Sequence, residues 1–351
     1  MKTADLDYQL PEALIAARPA ERRDGARLLI LDESNVRDSS VDQLAELIPE
    51  AALVVVNDTR VRRARIFGTR QGSGGRIELL FIRRLSLAAD GRERWEAIGR
   101  ASKALRVGTR IDWDEIRIEV LEKSLDATLL VGVDAGGVDF EQILDQRGHL
   151  PLPPYMRRAD EAADLERYQT VYARRTASAA APTAGLHLTP QLFERLAARG
   201  VQIARLELEI GLGTFRPVTV EDLDDHPMHA ETLAVGPELV QAVRAARERK
   251  APIVAVGTTV VRALESAADP AHPGEVRVMQ GETRLMIQPG YRFQIVDSML
   301  TNFHVPQSTL LALVSAFAGY DAVMSAYRHA VAAGYRFLSY GDAMWIPKRR
   351  A

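Results

Sequence analysis

The 351-residue chain contains no cysteine, which excludes disulfides, zinc–thiolate sites and thiol nucleophiles together. It has no apolar run near the roughly 20 residues that a membrane-spanning helix needs. Residues 1–10 carry acids and no apolar centre, unlike a secretory leader, so a cytoplasmic protein is expected. An excess of one charge is also missing. The 45 basic and 47 acidic residues leave a net charge of −2. That balance does not suit a general nucleic-acid coat, although a local basic face is compatible with it. What is present, 47% hydrophobic and 26% charged residues, is an ordinary globular composition in a chain long enough for two cores.

Apolar runs at 27–31 and 52–57, separated by a helical stretch at 41–48, set up an αβ rhythm. From about residue 62 the rhythm changes. Short strand candidates at 66–69, 76–83, 95–99, 109–112, 117–121 and 128–133 are separated by Gly, Asp and Ser turns, as in a small barrel or sandwich. The piece Gly72-Ser73-Gly74-Gly75 reads as a hairpin turn rather than a phosphate loop, because no helix follows it. Past Pro151 the αβ rhythm returns. Thr189 as N-cap, Pro190 in the first turn and Gly200 beyond the end bracket a helix at 191–199. A strand at 202–210, a helix at 238–250, a strand at 253–256 and a helix at 259–267 follow. The sequence therefore predicts a discontinuous α/β domain, 1–61 plus 151–351, with a β-barrel domain of 62–150 inserted.

Chemistry concentrates in a few segments. Thr301, Asn302, Phe303, His304 and Ser308 are predicted to form an irregular turn before an apolar helix at 311–317. A hydroxyl, an amide, a ring and an imidazole so close together serve binding better than folding. Gly257, Thr258 and Thr259 leave an apolar strand, with Arg262 one turn on. They offer free N–H groups and hydroxyls at the carboxyl edge of an open sheet, where ligands bind; the plain alternative is a capped helix start. Asn57-Asp58-Thr59-Arg60 ends another strand at the same kind of edge. Glu209 followed by Gly211-Leu212-Gly213 imitates the glycine loop of methyl-transferring enzymes, but Pro217 comes too soon for helix propagation. His226, His229 and Glu231 fall within six residues. The spacing is not HExxH, so proton transfer or hydrogen bonding is favoured over metal binding. The basic run Arg60, Arg62, Arg63 and Arg65 fits either phosphate contacts or a solvated face.

Taken in order, VVVNDTRV (54–61), PLPPY (151–155), YQTVYA (168–173), AAPTAGLH (180–187), GLGTFRPV (211–218) and the segments 226–231, 255–259, 301–311 and 335–344 cover nearly the whole chain. They resemble the S-adenosylmethionine:tRNA ribosyltransferase-isomerase family of queuosine biosynthesis. The resemblance implies an α/β domain with an inserted β-barrel. It also implies transfer and isomerisation of the ribosyl part of S-adenosylmethionine onto 7-aminomethyl-7-deazaguanine at the wobble position of a tRNA with a GUN-type anticodon. Epoxyqueuosine forms, and adenine and methionine leave. No metal, prosthetic group, membrane or obligate protein partner is implied; S-adenosylmethionine is a substrate.

That reaction needs a base at ribose C5′, assistance to departing adenine and a neutral attacking amine. His187, His226, His229, Glu231, Asp58 and His304 can serve such roles, with no order among them fixed by the sequence. The resemblance assigns substrate binding to Thr59, Arg60, Thr183 and Gly185, then to Glu209, Gly211, Gly213, Thr214, Phe215 and Arg216. It assigns it further to Gly257, Thr258, Thr259 and Arg262, and to Thr301, Asn302, Phe303, Ser308, Tyr340 and Asp342. Phe215 and Phe303 are expected to stack on a base, and Arg216 or Arg262 to anchor the methionyl carboxylate. Glu209 departs from the family's common histidine at that position. His229→Ala and Glu231→Gln are expected to lower turnover far more than stability. Two rival readings stand beside this one. An S-adenosylmethionine-dependent RNA methyltransferase would release S-adenosylhomocysteine, and an inactive tRNA-binding protein would bind without turnover.

Overall fold

The structure is a computed structural model that describes residues 1–124, 128–211 and 218–350. Its centre is four parallel strands, Gln202–Leu208, Leu53–Asn57, Ile253–Val256 and Ser298–Asn302, side by side in that order. The inner pair, Leu53–Asn57 and Ile253–Val256, is near-continuously apolar, as strands covered on both faces require. Alternate residues feed two cores. Leu53, Val55, Ile253, Ala255 and Met299 face the helices Pro237–Glu248, Thr258–Ser266, Thr309–Ala318 and Tyr320–Ala332. Val54, Val56, Val254, Val256 and Leu300 face the helix Pro190–Ala198 and the segment around Leu44. Among the described residues the sheet has nine strands. Glu231–Val235 and Met279–Thr283 add to one edge, and Ala343–Ile346, Arg27–Asp32 and Asn35–Ser40 to the other.

A six-stranded antiparallel barrel is inserted in this α/β frame, built from Arg65–Arg70, Arg76–Leu87, Glu93–Ala101, Arg110–Trp113, Ile116–Lys123 and Thr128–Asp134. Buried and partly exposed residues alternate along Arg76–Leu87 until the strand runs past the core. Phe81, Trp95 and Phe140 fill the interior edge to face, the last from the helix Phe140–Arg147. The Trp95 indole donates to Glu93 at 2.8 Å, and the other Glu93 oxygen accepts from the Phe140 amide at 2.8 Å. The glycines of 72–75 turn between two paired barrel strands, with Gly72 and Gly74 in left-handed conformations, as the hairpin reading expects.

Local signals account for most element ends. Thr189 caps its helix by accepting from the Leu192 amide at 3.2 Å, a contact worth about 1 kcal/mol. Gly257, at φ +96°, makes the sharp exit from strand to helix that a side chain would strain. The expected helix at 41–48 is shorter than read: a 3-10 turn Val41–Gln43 and one α turn Leu44–Leu47, stopped before Pro49. Thr301 and Asn302 are also corrected. They end a fully buried strand, and the chain turns only after them. Thr301 bonds locally, to the Asn302 carbonyl and His304, whereas the Asn302 Nδ2 reaches the distant Leu338 carbonyl and His187, contacts that local pattern does not reveal.

Candidate active site

All four parallel strands point their carboxyl ends the same way, and a cavity of about 110 Å³ lies there. Thr301 to Val305 form one wall, Gly257 to Thr259 and Arg262 a second, and Ala180 to Ala184 a third. Tyr155, Tyr168, Leu338 and Ser339 close it on the apolar side. Helix Thr258–Ser266 starts at this wall, so its first N–H groups and the positive end of its dipole face the cavity.

Glu231 and Arg262 stand at a junction. Both line this cavity and an adjoining one of about 40 Å³ that also receives His226 and His229. Glu231 further lines a larger cleft of about 370 Å³ between the sheet edge and the barrel, together with Glu209, Gly211 and His229. Ile210 is common to the cavity and this cleft. The Arg262 Nη1 donates to the Glu231 carboxylate, and its Nε donates to the Leu285 carbonyl at 3.1 Å. Its Nη2 is buried and has no partner among the described residues. A buried guanidinium N–H without an acceptor costs about 1–3 kcal/mol, and a carboxylate in the cavity would supply one.

Two imidazoles flank Asn302, His304 in the cavity wall and His187 outside its lining. His304 Nε2 is 2.9 Å from Thr301 Oγ1, and the Tyr327 hydroxyl accepts from the His304 amide at 3.0 Å. His187 Nε2 faces the Asn302 amide at 3.3 Å. Burial pulls both down to about 4, Arg23 adding a little at His187 against the hydrogen bond from Asn302. Both rings are therefore neutral at physiological pH. Burial, and then His229, also lower His226.

Because the unfolded chain takes up these protons first, the stability tied to His187 and His304 is complete above about pH 6.5. It is lost as pH falls toward about 4. Each is expected to cost about 2 kcal/mol between pH 7.5 and pH 5. Urea unfolding at the two values should show a pH dependence shallower by about that amount in His304→Gln. An unchanged dependence would mean that His304 titrates normally.

The sequence-predicted residues divide by place. Thr183, Gly257, Thr258, Thr259, Arg262, Thr301, Asn302, Phe303, His304 and Glu231 share the cavity. The Phe303 ring is fully enclosed, packed edge-on against Tyr327 and Tyr335 at 5.3 and 5.6 Å. Glu209 pairs with Arg175 at 3.2 Å on the cleft side. Other residues make bonds within the protein. Thr59 Oγ1 meets Ser178 Oγ at 2.7 Å, and Ser308 caps its helix through the Leu311 amide. Tyr340 donates to Asp164 at 2.8 Å, and Asp342 accepts from the Arg27 and Arg336 amides at 2.9 and 2.7 Å. Gly185 leaves room for the Tyr172 hydroxyl, which a Cβ would meet at 2.0 Å. Asp58 is half-buried, its carboxyl raised by desolvation against the pull of Arg174 and Arg205. Arg60 is exposed. Gly213, Thr214, Phe215 and Arg216 lie outside the described residues.

Several wall residues were not singled out as site residues from sequence: Tyr155, Tyr168, Ala180, Ala181, Leu338 and Ser339. The first two sit in the PLPPY and YQTVYA segments, whose unusual composition was the available signal. Arg284 was also missed. It is exposed on the cleft, bonded to the Met228 carbonyl at 3.3 Å and to no carboxylate among the described residues.

An open sheet with a parallel centre, a cavity at the carboxyl edge of that centre and a larger cleft beside it against the inserted barrel define an enzyme that presents a small molecule to a larger one. The chain belongs to the queuosine biosynthesis protein family, whose profile matches residues 3–346. It is 53% identical to the S-adenosylmethionine:tRNA ribosyltransferase-isomerase of Sorangium cellulosum, over 99% of this chain and 98% of that protein. It is 49% identical to the enzyme of the same name from Acidithiobacillus ferrooxidans, over 99% and 98%. Among solved structures, the S-adenosylmethionine tRNA ribosyltransferase of Thermotoga maritima is similar at a TM-score of 0.55 and 34% identity, with 97% of this chain and 99% of that one covered.

Proposed function

We infer that this chain is an S-adenosylmethionine:tRNA ribosyltransferase-isomerase that forms epoxyqueuosine in tRNA. Its donor is S-adenosylmethionine. Its acceptor is 7-aminomethyl-7-deazaguanine at the wobble position of a GUN-type anticodon, and adenine and methionine are released. The reading assigns it to the cytoplasm, with no metal, prosthetic group or protein partner.

One observation carries the geometric side: the cavity and the larger cleft share Glu231 and Ile210. A donor in the cavity and a nucleobase extruded into the cleft would meet at that wall. The donor's carboxylate is assigned to Arg262, whose Nη2 lacks an acceptor among the described residues. Its sulfonium makes the neighbouring C5′ protons acidic enough for a positioned base to remove one. Glu231 lines both spaces, His229 the cleft and neutral His304 the cavity, and the base is assigned to one of these three. Arg284 and Arg83, exposed on the cleft, are assigned to tRNA phosphates.

Incubation with S-adenosylmethionine and tRNA carrying the aminomethyl base, with mass analysis of products, tests the reading. Free adenine and methionine with a heavier tRNA are expected. S-adenosylhomocysteine would mean methyl transfer, and binding without turnover would mean an inactive binder. The phosphate assignment has its own check. Arg284→Ala should weaken tRNA uniformly and flatten the log–log salt slope by about one unit, leaving the KM for S-adenosylmethionine unchanged. An unaltered slope would remove Arg284 from the tRNA contact.

A further inference from the structure

Besides Arg262 Nη2, two polar atoms of the cavity's lining residues lack partners among the described residues, the Tyr168 hydroxyl and Asn302 Oδ1, and of the three only Oδ1 is purely an acceptor. Asn302 ends the central strand Ser298–Asn302 with its side chain 2% exposed. Its Nδ2 donates to the Leu338 carbonyl at 3.0 Å and faces His187 Nε2 at 3.3 Å. A carbonyl oxygen only accepts, so the nitrogen must be on that side and Oδ1 on the other. Neutral His187 accepts through Nε2 and carries its proton on Nδ1. Oδ1 is buried with no hydrogen-bond partner among the described residues, and an acceptor so placed costs about 1–3 kcal/mol if left unpaired.

The surroundings indicate what completes it. Around Asn302 the cavity is lined by Tyr155, Tyr168, Leu338 and Phe303, an apolar and aromatic end. The charged end, Glu231 and Arg262, lies where the cavity adjoins the smaller one, whose wall does not include Asn302. A flat heteroaromatic ring with an N–H donor fits the first end, and an amino-acid carboxylate fits the second.

We propose that Asn302 Oδ1 accepts a hydrogen bond from the exocyclic amino group of the adenine of S-adenosylmethionine, so that this residue selects a 6-amino purine over a 6-oxo purine. The proposal rests on the ribosyl-donor reading above and adds a specificity determinant to it. The selection is enforced as well as attractive. A 6-oxo purine would set lone pairs against Oδ1. Asn302 cannot relieve that by flipping, because its oxygen would then face the Leu338 carbonyl and the bare nitrogen of His187. The fixed acceptor therefore works through what it refuses.

Competition kinetics test this on the full-length enzyme with its modified tRNA. Adenine release from S-adenosylmethionine is followed against three sulfonium analogues: one with unsubstituted purine, one with hypoxanthine, and one lacking the methionyl α-amine. For the wild type, the purine analogue should inhibit with a Ki roughly 10- to 100-fold above the KM of S-adenosylmethionine, and the hypoxanthine analogue weaker still. In Asn302→Leu and Asn302→Ser the three bases should come within about threefold of one another, chiefly through a raised KM for the natural donor.

Wild-type Ki values within threefold of that KM would overturn the proposal, and they need no folded variant. So would Asn302 substitutions that weaken every ligand except the analogue without the α-amine, which would place the methionyl ammonium at Oδ1. If S-adenosylmethionine itself gave no turnover and did not bind, the donor reading would fail instead, a distinct result.

Discussion

Glu231→Gln is expected to lower kcat/KM by about 10²- to 10⁴-fold, the range that a positioned acid–base group contributes. It is also expected to destabilise the fold by about 3–5 kcal/mol. The sequence suggested that the substitution would lower turnover far more than stability; the burial of the pair makes the two losses comparable. Glu231 is 7% exposed, and its partner Arg262 is equally buried on the facing helix. Removing one charge leaves the other in a poorly solvated site with an unmet guanidinium fork. Arg262→Met should produce the same two losses. The double variant separates them: with neither charge left uncompensated, it should recover roughly 2 kcal/mol or more relative to either single variant. Its activity should stay low. Urea unfolding and steady-state kinetics on the three variants decide the matter. Normal turnover in Glu231→Gln would leave the pair a purely structural contact.

That revision shows where sequence reading stops. The barrel was legible because short alternating strands and glycine turns are local signals, and so were three of the four central strands, two of them as apolar runs with few other uses. The fourth, Ser298–Asn302, was not, its last two residues being read as part of a turn. The edge strands Asn35–Ser40 and Met279–Thr283 were not read. Their residues are mostly exposed or partly exposed and carry no apolar face to mark them.

The site was legible as a set of polar segments at strand ends, and ten of its predicted residues do line one cavity. Sequence could not separate them from polar residues serving the protein alone. Asp342 looks like a ligand contact until its acceptors' partners, the amides of Arg27 and Arg336, are seen. Tyr340 looks the same until Asp164 is found beside it. Asn302 is the converse. Half of its amide is committed to the protein and half is not, and only three-dimensional accounting reveals the free half.

Glu265→Ala is expected to destabilise the protein by about 3–5 kcal/mol, the cost of removing a buried carboxylate that satisfies several donors. Glu265 is 5% exposed in the last turn of the helix that carries Arg262. One oxygen accepts from the amides of Ile295 and Val296 at 3.0 Å each. The other accepts from the Gln294 amide at 2.9 Å and the Tyr291 hydroxyl at 3.3 Å. These amides belong to the segment that leads into the strand ending at Asn302. A single side chain thus ties together the two elements that hold the cavity's orphaned donor and orphaned acceptor. Glu265→Gln keeps the shape but replaces one acceptor oxygen with an NH₂ that faces backbone N–H groups, so it should recover little. In the folded fraction of either variant, the KM for S-adenosylmethionine should rise more than kcat falls, because the cavity walls lose their register while the reacting groups are retained. Stability within about 1 kcal/mol of wild type, measured by urea unfolding, would show that the 291–296 segment finds other partners and that Glu265 does not brace the site.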